Sequence, residues 1–157
     1  MAAQVKPIPD GYPTVTPYLI VRGAAAAIDF YRTAFGAAER LRMDAPGGTI
    51  GHAELTIGGS LIMLADEMPE TGWSSPTAIG GTPVSLHLYV EDVDAVVERA
   101  LAAGATLSRP VADQFYGDRL GTVVDPFGHV WSISSHIEDV APEEIRRRAE
   151  ALFGGKA

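Results

Sequence analysis

Val84-Ser-Leu-His-Leu-Tyr-Val90 is followed by Asp92, by Val93, Val96, Val97, Ala100 and Leu101, and then by Gly104-Ala105. The run predicts a strand, an N-cap at Asp92, a helix with one apolar stripe, and a glycine stop. The same order stands earlier in the chain. Val15 to Val21 reads as a strand with Thr16, Tyr18 and Ile20 on one face. Ala24 to Phe35 then carries Ala27, Ile28, Tyr31, Ala34 and Phe35 at helical spacing, and Gly36-Ala37 closes it. Laying Gly36-Ala37 on Gly104-Ala105 brings both helices and both preceding strands into register. An internal repeat of this kind determines the architecture ahead of any single motif.

Shorter strands follow each helix. In the first half these are Glu39 to Met43, Thr49 to Ile57 and Ser60 to Ala65, with turns at Asp44-Ala-Pro-Gly-Gly48 and Gly58-Gly59. In the second half they are Arg109 to Val111, Leu120 to Val124 and Val130 to Ser134, with a turn at Asp125-Pro-Phe-Gly128. Residues 66–83 hold three prolines and three glycines, too many for a tight turn. They read as a connection between halves or a loop covering a site. A last helix begins near Pro142, with Glu143 and Glu144 in its first turn. The fold class is therefore α+β. A first βαβββ module covers 12–67, a linker 68–83, a second module 84–136 and a C-terminal helix 137–157, all within one domain of 157 residues.

Composition narrows the function. Hydrophobic residues make up 46% and charged residues 20%, as in a globular protein with a core. The formal charge of -8 disfavours nucleic acid, which needs a basic stripe, and an anionic membrane surface. With no cysteine there is no disulfide, thiolate metal site or cysteine nucleophile. The N-terminus lacks the apolar run of a signal peptide, and no stretch approaches the roughly 20 apolar residues of a membrane helix. The expected location is cytoplasmic.

Chemistry concentrates in Thr49-Ile-Gly-His-Ala-Glu-Leu-Thr-Ile57. On a strand His52 and Glu54 share one face, and Leu55 and Ile57 the other. Taken over all strands, one face carries Thr16, Tyr18, His52, Glu54, Ser85, His87, Tyr89, Ser132 and Ser134. Such a face is either a ligand cup or a solvated outer face, and the repeat favours the cup. His52, Glu54 and His87 are candidate ligands for one divalent ion (Zn, Ni, Mn or Fe). The alternative is no metal at all, with Glu54 as the catalytic general base. Tyr18, His52, His87, Tyr89 and Tyr116 are candidate substrate contacts. Trp73 is either a lid over a flat ligand or a buried anchor. Arg119 is either a clamp on a carboxylate, phosphate or phosphonate, or half of a structural ion pair with Asp118 beside it.

The motifs Ile28-Asp-Phe-Tyr-Arg-Thr-Ala-Phe-Gly-Ala37, Val90-Glu-Asp-Val-Asp94 and Asp125-Pro-Phe-Gly-His129 resemble those of the vicinal oxygen chelate superfamily. That superfamily includes glyoxalase I, extradiol dioxygenases, and bleomycin- and fosfomycin-resistance proteins. Gly51-His-Ala-Glu-Leu55, Ala65-Asp-Glu67 and Tyr116-Gly-Asp-Arg119 are most similar to the PhnB-like branch. The resemblance implies tandem βαβββ modules with curved mixed sheets, a homodimer, and a small organic molecule bound in the cup. It also implies four metal positions of glyoxalase I, which fall on Thr16, Glu54, Ser85 and Ser132; only Glu54 keeps a ligand of the family's type. Two functions follow. One is an isomerase, lyase or ring-cleaving dioxygenase; the other is a non-catalytic protein that sequesters a drug or metabolite.

Overall fold

The computed structural model describes residues 5–154; Met1 to Gln4 and the last three residues of the expected 137–157 segment lie outside the described residues. Among the described residues, eight strands form two four-stranded mixed sheets. The strands are β1 (Tyr18–Val21), β2 (Ala38–Ala45), β3 (Thr49–Ile57), β4 (Ser60–Asp66), β5 (Ser85–Tyr89), β6 (Thr106–Asp113), β7 (Asp118–Val124) and β8 (Val130–His136). The helices are α1 (Ala24–Phe35), α2 (Pro76–Ile79), α3 (Val93–Ala102) and α4 (Pro142–Phe153). None of the described helices is long and apolar enough to cross a membrane.

The chain divides after Gly81 into two compact units. In the N-terminal unit the strand order is β1-β4-β3-β2, with β1 parallel to β4 and the other pairs antiparallel. The C-terminal unit repeats it as β5-β8-β7-β6, with β5 parallel to β8. The repeat is visible down to an irregularity. Pairing of β2 with β3 skips Arg40, and pairing of β6 with β7 skips Ser108. Both residues lie four positions after the paired glycines Gly36 and Gly104.

The first and third helices bury the stripes that their spacing announced, except that Leu101 is only partly covered, whereas α4 buries none of its residues. In α1, Ala27, Ile28, Tyr31, Ala34 and Phe35 are buried, joined by Ala24 and Phe30. They cover the Ala53, Leu55 and Ile57 face of β3, together with Val21 and Leu64. In α3, Val93, Val96, Val97 and Ala100 are buried within a unit whose core also holds Val123, Trp131 and Ile133. Full burial of the valine, leucine, isoleucine and phenylalanine side chains among these stabilises by about 1.5–3 kcal/mol each. Gly36 terminates α1 with φ 68°, a conformation that costs glycine least.

The helix starts show how one strand serves two purposes. Gly23 has no side chain with which to cap α1, and Asp66 at the end of β4 supplies the acceptor. Its Oδ1 takes the Gly23 and Ala24 N–H groups at 2.9 Å each, while its Oδ2 takes Ile50 N–H at 2.8 Å. In the C-terminal unit the Ser135 hydroxyl accepts Val93 N–H at 2.9 Å from the matching place on β8. Asp92 caps the same helix through Ala95 N–H, as read from the sequence. In the Asp125-Pro-Phe-Gly128 turn, the Asp125 carboxylate accepts from Phe127 N–H, His129 N–H and the buried Trp131 indole, all at 2.9 Å. That explains the acid at this position: one side chain closes the turn and satisfies a core tryptophan.

Several boundaries differ from the sequence reading. β1 begins at Tyr18 rather than Val15, because Pro17 has no N–H for the ladder and offers only its carbonyl, to Met63 N–H. β2 and β6 run longer than Glu39 to Met43 and Arg109 to Val111. Both are edge strands whose residues are nearly all exposed, so neither shows the alternation that marks a half-buried strand. Residues 66–83 are not irregular throughout: a 3-10 turn at Pro69–Thr71 and the short α2 lie within them.

Candidate functional site

In the N-terminal unit the strand pairings align Tyr18, Met63, Glu54 and Leu41 across the sheet, on the face away from α1. His52 stands one step along the same face of β3. Tyr18 Oη lies 2.7 Å from His52 Nδ1, and His52 Nε2 lies 3.2 Å from Glu54 Oε1. A carboxylate oxygen only accepts, so Nε2 carries a hydrogen, and in the neutral ring Nδ1 is left to accept from the Tyr18 hydroxyl.

Glu54 is only 3% exposed although it lies on the non-core face. Two residues cover it. Tyr12, from the Pro-rich arm, donates its hydroxyl to both carboxylate oxygens at 2.9 and 3.1 Å. Arg40, at the irregularity in β2, brings its Nε to 3.9 Å from Glu54 Oε2 and stacks its guanidinium 4.5 Å above the Tyr12 ring. A strand bulge re-aims a side chain, and here it turns Arg40 toward a buried acid. The Tyr18 phenol is pushed above its ordinary value, first by burial and then by the negative charge of Glu54.

The open end of this line is Tyr18, which is 37% exposed. Its ring meets the Trp73 ring edge-on at 5.2 Å. Tyr18, Ile20, Gly72, Trp73 and Ser74 line an open groove of about 340 Å³. Behind Trp73 a smaller, more enclosed pocket of about 120 Å³ is walled by Ile50, Ala65, Met68 and others. Trp73 is half exposed and belongs to both walls. Its backbone pairs with Met68 in both directions, N–H to O and O to N–H, which closes residues 68–73 into a flap. Glu67 pins the next segment: its carboxylate accepts from Ser75 N–H and Oγ–H and from Arg22 Nε. The Ser75 hydroxyl and then Arg22 hold that carboxyl at about 2.

The C-terminal unit has different chemistry on the corresponding face. The step that carries Gly36 onto Gly104 carries Glu54 onto Thr122, whose hydroxyl is 3.4 Å from that of Ser132. His87 is exposed, hydrogen-bonds to the buried Ser134 hydroxyl through Nε2 at 3.0 Å, and stacks obliquely on Tyr89 at 4.7 Å. The Tyr89 hydroxyl donates to Asp118 Oδ2 at 2.8 Å. Asp118 is 4% exposed and also accepts from His136 Nδ1 at 2.8 Å, while His136 Nε2 reaches Asp139 at 2.9 Å. Two carboxylates, first Asp118 and then Asp139, raise the His136 pKa above its ordinary value. Burial alone would raise the Asp118 carboxyl, but the His136 and Tyr89 hydrogen bonds outweigh it and lower the value. Tyr89, Tyr116, Asp118, His136, Asp139 and the start of α4 line an open pocket of about 500 Å³.

The expected site residues are therefore distributed over two groups. Tyr18, His52, Glu54 and Trp73 come together in the N-terminal unit; in the C-terminal unit Tyr89 and Tyr116 line one pocket, and His87 lies against Tyr89. Arg119 is fully engaged: Nε and Nη2 donate to Asp94 at 2.7 and 2.9 Å, and Nη1 donates to Asp113 at 2.9 Å. Its ion-pair partners are these two acids and not the adjacent Asp118. Tyr12 and Arg40 had no place among the candidates, and His136, which lies beyond the expected end of the last strand, was read as the less favoured of the pocket residues. Tyr12 sits in an aperiodic arm, and Asp118 and His136 meet only because β7 pairs with β8 in that register.

Among the described residues no three His, Cys, Asp or Glu side chains gather to hold a metal ion. Within the N-terminal unit, the set expected of His52, Glu54 and His87 reduces to one imidazole and one carboxylate. Both oxygens of that carboxylate already accept from Tyr12. Two such donors fall short of the three protein ligands of a catalytic zinc site, and no step below passes through a metal.

Residues 13–133 match the family described as the Glyoxalase/Bleomycin resistance protein/Dioxygenase superfamily. An uncharacterized protein of Mycobacterium bovis is 49% identical over 137 residues, covering 85% of this chain and 90% of its own length. Among solved structures, TioX from Micromonospora sp. ML1 is 30% identical, with a TM-score of 0.61 over 80% of this chain and all of its own. The genomically encoded fosfomycin resistance protein FosX of Listeria monocytogenes, solved with Mn(II) and a sulfate ion, is 19% identical. Its TM-score is 0.61 over 87% of this chain and 97% of its own, a likeness of fold.

Proposed function

Since the chain belongs to the glyoxalase/bleomycin resistance/dioxygenase superfamily, we propose that it binds a small organic molecule against the Tyr18–Trp73 groove of the N-terminal unit. One observation carries the reading: a buried, fully partnered carboxylate is connected through His52 to a tyrosine hydroxyl that opens on an aromatic-walled groove. A few fixed polar groups beside apolar walls are what small-molecule sites share. The Tyr18 and Trp73 rings favour a flat, largely apolar molecule. Its oxygen or nitrogen would exchange a hydrogen bond with Tyr18.

Trp73 supplies the test. The chain has two tryptophans, and Trp131 is buried in the C-terminal unit, so ligand-dependent fluorescence reports on Trp73. A panel of small aromatic and carbonyl compounds should contain members that shift this emission saturably. The shift should disappear in Trp73→Phe and weaken in Tyr18→Phe. A panel without such a compound, or a response indifferent to Tyr18→Phe, contradicts the reading.

A further inference from the structure

We propose that Tyr18, His52 and Glu54 form an acid–base relay whose working end is the Tyr18 hydroxyl, acting on a flat organic molecule that carries a weakly acidic C–H or O–H proton. The proposal rests on ligand binding in the Tyr18–Trp73 groove.

Glu54 is the residue that chemistry would first nominate as the base, and the geometry withdraws it from contact with a ligand. It is 3% exposed, and both of its oxygens accept from Tyr12. The carboxylate can still act on His52. By accepting from Nε2–H at 3.2 Å it fixes the ring's tautomer and leaves the Nδ1 lone pair facing the Tyr18 hydroxyl at 2.7 Å. This is the logic of a nucleophile–base–orienting acid series, with a phenol at the exposed end.

The step balances without a co-reactant. A ligand proton passes to Tyr18 Oη while the phenolic proton passes to His52 Nδ1. The ligand is left with the electron pair, as an anion, and His52 becomes an imidazolium beside the Glu54 carboxylate. Reversal returns a proton to the ligand, at the same or a neighbouring atom. The two transfers must be concerted. Burial and the Glu54 charge raise the Tyr18 phenol, so a standing phenolate is disfavoured near neutral pH. Tyr18 is the catalytic residue; His52 positions it and takes its proton, and Glu54 orients His52.

Nitrobenzisoxazole is a suitable probe. It is flat, and loss of its ring C–H proton to a base breaks the N–O bond and releases a coloured nitrophenolate. The wild-type protein should accelerate this opening. Tyr18→Phe and His52→Gln should each lower the rate at least about ten-fold while the probe still quenches Trp73. Added imidazole should restore the rate of His52→Gly but not of Tyr18→Phe, a rescue that a purely structural role for His52 would not give. Quenching without acceleration, or an unchanged rate in Tyr18→Phe, overturns the relay and leaves the binding proposal standing. Absence of quenching in the wild type overturns this probe's binding and the relay together.

Discussion

Glu54 and Tyr12 are 42 residues apart in sequence, and the Tyr12 hydroxyl donates to both oxygens of the buried Glu54 carboxylate. The N-terminal arm is thereby fastened to the functional face of its sheet. The contact serves fold and site at once: it satisfies an acid taken out of water and holds it in the orientation that His52 uses.

That pairing predicts coupling. Hydrogen bonds to charged groups contribute about 1.5–3 kcal/mol, so Glu54→Gln should lower unfolding free energy by about that much. Tyr12→Phe leaves part of the carboxylate unpartnered and should cost about 1–2 kcal/mol. The double variant should fall short of the sum by roughly 0.5 kcal/mol or more. Urea denaturation of the four proteins measures the cycle; strict additivity would show that Tyr12 and Glu54 act independently.

The two cross-chain helix caps predict an asymmetry between the units. Asp66 accepts from three backbone N–H groups, two of them at the start of α1, whereas the Ser135 hydroxyl accepts from one. Loss of a single cap costs about 1 kcal/mol. Ser135→Ala should cost about that, and Asp66→Ala roughly twice as much. Hydrogen exchange should quicken at Ala24 in the first helix for Asp66→Ala, and at Val93 in the third for Ser135→Ala. Equal costs for the two variants would contradict the geometry.

His136 predicts a pH dependence of definite sign. Its folded-state pKa is raised by Asp118 and then Asp139. Its contribution is therefore complete below the unfolded value, near pH 6.5, and is lost as pH rises through the folded value. Between about pH 5.5 and about pH 8.5 the wild type should lose more stability than His136→Gln. Asp118, whose folded pKa is lowered, acts in the opposite direction. Its contribution is present above the unfolded carboxyl value, near pH 3.9, and is lost as pH falls through the folded one. Denaturant midpoints of wild type and His136→Gln across this range test the first statement; parallel curves would contradict it.

Gly117 holds the connection between β8 and α4. It has φ 102°, its carbonyl accepts from Ile137 and Glu138 N–H, and a Cβ there would overlap the Glu138 carbonyl oxygen. Gly117→Ala combines backbone strain with that overlap and should destabilise by at least about 2 kcal/mol. The same substitution at Gly47, where φ is also positive but nothing lies within 4 Å, carries the strain without the overlap and should cost only about 1 kcal/mol. Thermal unfolding of both variants separates the two contributions.

The fold was largely legible because its signals are local and repeat. The apolar stripe of α1, the glycine after it, and the strand from Thr49 to Ile57 stand in the structure where spacing put them. The edge strands β2 and β6 hid their ends because exposed strands show no alternation. The site was legible in half. His52 and Glu54 lie two apart on one strand, so their shared face follows from pleating alone. Tyr12 and Arg40 were not foreseeable: one lies in an arm without period, and the other is re-aimed by a skipped pairing. Arg119 could be read as a ligand clamp or as part of an ion pair, because Asp94, its bidentate partner, is 25 residues distant. The contact between Asp118 and His136 escaped for the same reason, since only strand register brings them together.

The most direct test is the protonation state of the His52 ring, read from its nitrogen and carbon-bound proton resonances by NMR with Tyr18→Phe and Glu54→Gln as assignment controls. The account predicts that the neutral ring holds a single tautomer with the hydrogen on Nε2, and an Nδ1 shift that moves when Tyr18 becomes Phe. A neutral ring protonated on Nδ1, or one averaging freely between tautomers, would contradict the line from Glu54 to Tyr18 on which the site is built.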